Sequence, residues 1–213
     1  MVKKGDFIEI EYTGYDKNGN IFDSTTGEIA KKLHNKEGKL LVIFSVDLLV
    51  PGMSEIIANM KKGEETEFSL TPDKAFGTRD KNKINIVPLS YFEENDLKPY
   101  PGLVVQMETK FGVLNGRIKS VNNGRVLVDF NHPLADQNIK YKLKLVDIFE
   151  DVNGKIIKLM ELFGINGVHS IEGTKAIVSL IKEQYNDETK KTKLARAIKT
   201  TVLEIKDIEF KVM

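Results

Sequence analysis

The sequence predicts an α+β protein: an antiparallel sheet wrapped on one short helix, interrupted by a small β-rich domain and followed by a small α/β domain. Three observations lead there. Residues 6–15, 64–70 and 139–149 alternate apolar and polar, as half-exposed strands do. Behind Pro51-Gly52, the groups Met53, Ile56, Ile57 and Met60 have helical spacing. Residues 84–131 then break the host with Val87-Pro88-Leu89 and Pro99-Tyr100-Pro101-Gly102 before three new β-like runs. The expected boundaries are 1–83 plus 132–150 for the host, 84–131 for the insertion and 151–213 for the C-terminal domain. A chain of 213 residues is long for a single core, so several compact units are the natural expectation.

In order along the chain, Ile8, Ile10 and Tyr12 share one face of the first strand, while Glu9 and Glu11 take the other. Asn18-Gly19 is a strong turn signal, sending the chain back towards Phe22. Residues 27–39 are polar and read as a loop or short helix, and Leu40 to Phe44 reads as a buried strand. Gly63 stops the helix that follows Pro51. Thr66, Phe68 and Leu70 point inward from the next strand. Ile139, Tyr141, Leu143 and Leu145 share one face of the last host strand, with Lys140, Lys142 and Lys144 on the other. In the insertion the runs are 103–107, 116–121 and 124–130, with Asn122-Asn123-Gly124 as a tight turn. The C-terminal domain reads as a helix through Ile156, Ile157, Met160 and Phe163, then a hairpin about Glu172-Gly173. A longer helix (187–205) with Leu194, Ala197, Ile198, Thr201 and Val202 as its stripe follows, and a strand (208–212) ends the chain.

Composition removes several function classes. The 32 Lys and Arg nearly balance 31 Asp and Glu, for a net charge of +1. No segment carries the basic excess of a nucleic-acid binder, although Gly116-Arg117-Ile118 with Gly124-Arg125-Val126 has the rhythm of small ribosomal barrels. There is no cysteine, which excludes disulfides, thiolate catalysis and cysteine-bound zinc. The three histidines, His34, His132 and His169, are far apart in sequence, so no metal site and no cofactor are expected. No apolar run approaches the roughly 20 residues of a membrane span. The basic start Met1 to Asp6 has no apolar core behind it, so no signal peptide is read there. The expected location is the cytoplasm, with no membrane partner.

The chemistry-bearing residues form one ordered set: Glu11-Tyr12-Thr13-Gly14, Asp16-Lys17-Asn18-Gly19, Phe22-Asp23-Ser24, Val50-Pro51-Gly52-Met53, Ala75-Phe76-Gly77, Asn131-His132-Pro133-Leu134-Ala135 and Ile139-Lys140-Tyr141. Each piece alone fits an ordinary protein. Buried aromatics such as Tyr12 and Tyr141 are mostly core, and Phe22-Asp23 could be a strand end with a turn-forming acid. As an ordered set over residues 1–150 they resemble the FKBP family of peptidyl-prolyl cis-trans isomerases. The stretch of about fifty residues between Gly77 and His132 resembles the long archaeal and SlyD-like members, which carry a chaperone domain inserted in the flap.

The resemblance implies an isomerase and folding chaperone. Tyr12, Phe22, Leu49, Val50, Met53, Phe76, Leu134 and Tyr141 would form the prolyl pocket, with Asp23 as its acidic member, orienting Tyr12 or polarising the substrate amide. The insertion would capture unfolded or proline-containing chains through apolar groups, among them Val87, Leu89, Tyr91, Phe92, Leu97, Tyr100, Met107 and Phe111. The alternative is a holdase that keeps the fold without catalysis. Two departures stand out: Phe76 replaces the tyrosine of Ala-Tyr-Gly, and Met53 replaces a tryptophan on the pocket floor. Both weaken the expectation of macrolide binding more than that of isomerisation. His132 is expected to make a structural hydrogen bond. The C-terminal domain carries no chemical motif. Its small core suggests docking or homodimerisation.

Overall fold

The computed structural model describes residues 1–44, 49–109 and 112–213, in two compact units: residues 1–69 with 140–213, and residues 70–139. In the first unit β1 (Phe7–Tyr15) is the centre of a five-stranded sheet. It pairs antiparallel with β2 (Ile21–Ser24) along its second half and with β3 (Leu40–Ile43) along its first half, both on one side. On its other side runs β9 (Ile139–Phe149), which in turn neighbours β4 (Glu65–Leu70). The β1–β2 connection closes because Asp16 Oδ1 accepts from the amides of Asn18 and Asn20 at 2.8 and 2.9 Å. Gly19, at φ +83°, takes the left-handed position the turn requires.

Helix α1 (Gly27–His34) occupies part of the polar stretch between β2 and β3. Helix α2 (Pro51–Ile57) starts on proline and turns Met53 and Ile57 inward; Met60, in the turn beyond it, is buried too. It stops before Gly63, whose amide instead donates to the Leu145 carbonyl at 2.7 Å. Ile8, Ile10, Ile139, Tyr141, Leu143 and Leu145 are all buried, as the alternation requires. Leu40 departs from expectation: β3 is an edge strand in its sheet, and Leu40 is 40% exposed.

Phe7 is the residue that alternation misreads. It lies on the face of β1 opposite Ile8, yet it is fully buried. The C-terminal segment covers it. Helix α4 (Val152–Leu162) follows β9 after the N-cap Asp151, whose carboxylate accepts from the Gly154 amide at 2.9 Å. The hairpin β10 (Gly167–Glu172) and β11 (Lys175–Leu180), the short α5 (Lys182–Tyr185), α6 (Glu188–Thr201) and β12 (Asp207–Val212) complete it. Strand β12 returns parallel to β11, with α5 and α6 in the crossover. Phe7 joins one buried cluster with Ile156, Leu159, Val178, Leu194 and Ile198, and Leu41, Ile43 and Phe149 pack against it. The C-terminal segment thus shares its core with the sheet. Ile157, expected on the buried stripe of α4, is instead 44% exposed, and Leu159 takes the inward place. Lys158 on α4 adds an ion pair to Glu9 of β1 at 3.0 Å.

The second unit is a four-stranded antiparallel sheet in the order β5 (Ile84–Pro88), β8 (Arg125–Asp129), β7 (Gly112–Asn122), β6 (Val104–Thr109). Strand β5 and helix α3 (Leu89–Glu94) were not legible, because proline punctuates their junction. Phe92 of α3 packs into a cluster with Val105, Met107, Ile118, Val126 and Val128. The unit is wider than residues 84–131 because the chains entering and leaving it are tied together. Asp136 donates its amide to the Gly77 carbonyl at 3.0 Å, and its carboxylate accepts from the Arg79 amide at 2.9 Å. Asn131 exchanges two hydrogen bonds with the Asp80 backbone, at 2.8 and 3.0 Å. The buried Asp129 carboxylate pairs with Arg79.

The shared core sets an expectation. Phe7→Ala removes a fully buried ring between two packed layers and should cost about 3–5 kcal/mol in urea unfolding. Val168→Ala, on the exposed face of β10, should change stability by less than about 0.5 kcal/mol.

Candidate active site

Strand register brings the expected residues into one row. Gly14 on β1 lies opposite Asp23 of β2 on one side and opposite Tyr141 of β9 on the other. A side chain at Gly14 would collide: a Cβ there would stand 2.6 Å from Phe22 Cζ and 2.9 Å from Tyr141 Cε1. Glycine is what lets those two rings close over the backbone.

Tyr141 is the hub. Phe22 meets it edge-on with ring centroids 5.9 Å apart, and Tyr12 likewise at 6.2 Å. Phe68, from β4, lies tilted against it at 5.8 Å. These separations are typical of favourable edge-to-face aromatic packing. The polar end of the cluster is equally defined. Tyr12 donates its hydroxyl to Asp23 Oδ2 at 2.7 Å, and the other carboxylate oxygen, Oδ1, is 2.8 Å from His34 Nε2. The Tyr12 backbone is held by Thr25, whose Oγ1 accepts from its amide at 2.9 Å.

Burial makes both phenols reluctant to ionise. The Tyr141 hydroxyl is pushed up to about 12 by burial and, secondarily, by the Asp23 charge. Tyr12 is raised further, by burial first and then by its hydrogen bond to Asp23. Both are therefore neutral donors at ordinary pH. The cluster offers an apolar, aromatic surface with one oriented hydroxyl and one fixed carboxylate. Among the described residues no group of His, Asp and Glu is placed to hold a metal ion.

Of the other expected site residues, Met53 is buried on α2, and Leu49 and Val50 are half-buried just before it. Phe76 and Leu134 belong to the second unit. There Phe76 stacks on His132 with centroids 4.2 Å apart and ring planes 3° from parallel. His132 accepts the Leu134 amide on Nδ1 at 3.1 Å, and burial lowers its basicity. His132 is thus a structural hydrogen-bonding residue, as expected. Sequence reasoning gave Gly14, Phe68 and Thr25 no role at the site and weighed His34 only as a metal ligand. His34 is 11 residues from Asp23 with a helix between, so no local pattern announces it.

In the insertion, Phe92 and Met107 are core residues, 2% and 8% exposed, and offer no surface to a client. This corrects their assignment: α3 covers one face of the sheet, and both face that interior. Val87 and Leu89 are half-buried against the same core. Tyr91, Leu97 and Tyr100 are exposed, and so are Ile86, Val104, Val113 and Leu114. Phe111 lies outside the described residues.

The phenols make stability depend on high pH. An unfolded tyrosine ionises near 10, and the folded pair ionises higher, so folding favours their neutral form. The stabilisation is complete below pH 10 and is lost as pH rises from there through about 12. Urea midpoints should therefore fall from pH 9.5 to 11.5 (values on the order of the tyrosine range), and the Tyr12→Phe/Tyr141→Phe variant should show a flatter decline.

Comparison with known proteins agrees with this geometry. Residues 1–93 match the family described as FKBP-type peptidyl-prolyl cis-trans isomerase, and residues 85–134 match FKBP26, IF domain. The short-type peptidyl-prolyl cis-trans isomerase of Methanocaldococcus jannaschii is 28% identical over 153 residues, covering 70% of this chain and 94% of that protein. The FKBP-type isomerase SlyD of Aeromonas hydrophila is 29% identical over 141 residues, covering 66% of this chain and 61% of its own. The FKBP-type 16 kDa isomerase of Escherichia coli K12 is 28% identical over 127 residues, covering 57% and 82%. No described helix is long and apolar enough to cross a membrane. With its aromatic cluster assembled from β1, β2, β4 and β9, the chain is similar to the FKBP-type peptidyl-prolyl cis-trans isomerases, whose family model it matches over residues 1–93.

Proposed function

We propose that the surface built on Tyr12, Phe22 and Tyr141 binds a prolyl ring and isomerises Xaa-Pro bonds by taking the amide out of water. The rotation barrier is about 18–20 kcal/mol because the C–N bond has partial double-bond character. Water favours the polar planar amide over the twisted one, so an apolar site that excludes water lowers that barrier. No nucleophile or cofactor is needed. The observation that carries this reading is the packing of three rings on Tyr141 beside the Tyr12–Asp23 hydrogen bond. Leu49, Val50 and Met53 at the start of α2 complete the apolar wall. The hydroxyl of Tyr12, fixed by Asp23, is a donor that can hold the distorted substrate in place.

The insertion acts as the client-binding element for unfolded chains. Ile86, Tyr91, Leu97, Tyr100, Val104, Val113 and Leu114 are many exposed apolar groups for one small unit, and such surface marks interaction sites. A client held there is bound to the same chain that carries the isomerase surface, which raises its effective concentration.

Exchange-type NMR or a protease-coupled assay on a Phe-Pro tetrapeptide tests the catalytic claim. The wild type should accelerate isomerisation, and Phe22→Ala should lower kcat/KM by about tenfold, equivalent to about 1.4 kcal/mol of transition-state stabilisation. No rate above background would refute it, and suppression of client aggregation without any isomerisation would select the holdase alternative. The Val113→Asp/Leu114→Asp variant should slow a proline-limited refolding reaction while leaving the tetrapeptide rate unchanged. Equal losses on both substrates would contradict client capture by the insertion.

A further inference from the structure

Asp23 uses both oxygens of its carboxylate inside the protein. Oδ2 accepts the Tyr12 hydroxyl at 2.7 Å, and Oδ1 faces His34 Nε2 at 2.8 Å. A carboxylate held at one oxygen can still swing about its Cβ–Cγ bond. Held at both, it fixes the direction of the hydroxyl it receives. Three side chains from three elements therefore make one chain, His34 on α1, Asp23 on β2 and Tyr12 on β1. With one partner at each oxygen, Asp23 is held in the orientation that receives the Tyr12 hydroxyl.

The histidine is itself anchored. It ends α1, and the next residue, Asn35, takes the left-handed conformation at φ 53° and returns its amide to the Lys31 carbonyl. Lys31 is clamped in turn between Glu28 at 3.2 Å and Glu37 at 3.0 Å. On its other side His34 lines a groove with Leu40, Leu41 and Leu162. The charged groups around that groove are Glu9, Lys36, Lys39, Lys158 and Glu161. Glu9 is neutralised by Lys39 and Lys158, and Glu161 by Lys158, which leaves Asp23 as the anion paired with the imidazole.

We propose that His34 is a positioning residue for prolyl isomerisation, holding the Asp23 carboxylate so that the Tyr12 hydroxyl points at the bound amide. The inference rests on the prolyl-isomerase reading of this site. The contact needs an N–H donor at Nε2, facing Asp23 Oδ1. What matters is a donor at that point, and glutamine can supply one from nearly the same position.

Because the His34 side chain is 48% exposed at a helix end, its variants should fold. His34→Gln should keep kcat/KM within about twofold, whereas His34→Leu should lower it about three- to tenfold, as for loss of one hydrogen bond. His34→Glu, which sets a second carboxylate against Asp23, should lower it at least as far. The Tyr12 hydroxyl proton gives a readout that does not need catalysis. Its slowly exchanging NMR resonance should persist in wild type and His34→Gln and broaden in His34→Leu. An unchanged rate and an unchanged resonance in His34→Leu would overturn the proposal, as would equal losses in the Gln and Leu variants. If the wild type fails to isomerise while the resonance still responds to His34, the failure lies with the isomerase reading and the positioning contact stands.

Discussion

The antiparallel pairing of β1 with β9 is the constraint on which the first unit depends. It joins residues 7–15 to residues 140–149, with the whole second unit in the intervening chain. The ring contacts on Tyr141 cross that pairing or the neighbouring ones: Tyr12 reaches Tyr141, Phe22 reaches across Gly14, and Phe68 arrives from β4. A one-residue slip would turn Tyr141 to the lysine-rich face and dissolve the cluster. Such long-range closure tolerates an insertion because loop entropy grows only logarithmically, at about 0.6 kcal/mol for each doubling of length. The connectors reduce even that. The Asp80–Asn131 and Gly77–Asp136 hydrogen bonds close the second unit at its base, so its roughly fifty inner residues form an autonomous loop.

The site combines apolar packing with a small fixed polar chain. Aromatic edges and faces supply the dry surface, and burial keeps both phenols protonated. The charge hydrogen-bonded to the Tyr12 hydroxyl is Asp23, and it is held by partners at both oxygens. A carboxylate left loose beside an apolar surface would draw water to it. The glycine at position 14 is as necessary as the rings, because it leaves open the space a side chain would otherwise deny to Phe22 and Tyr141.

The C-terminal segment has a structural consequence for the sheet. By burying Phe7 and covering Leu41, Ile43 and Phe149, it turns the first half of β1 into a strand covered on both faces. Sheets covered on one face need alternation. Strands covered on both do not, and Phe7-Ile8 are accordingly two consecutive apolar residues. The small α/β segment meets the shortage of core expected for its size by sharing one with the sheet.

Alternation and turn chemistry alone determined most strands of the first unit and the β10–β11 hairpin, because a half-buried strand advertises its inner face every second residue; Tyr12, Phe22 and Tyr141 stood out as site residues only through the resemblance of the ordered motifs. The likeness to FKBP-type isomerases was legible from the ordered motifs. Tertiary structure alone decided the rest. That Phe92 and Met107 are core while Ile86 and Leu114 are exposed depends on where α3 lies across the insertion's sheet. That His34 meets Asp23 depends on where helix α1, which His34 ends, is placed against β2. That Phe7 is buried depends on a segment some 145 residues later in the chain. Periodicity records only which way a side chain points from its own element. What covers it is set by elements far away in sequence, and no local pattern carries that information.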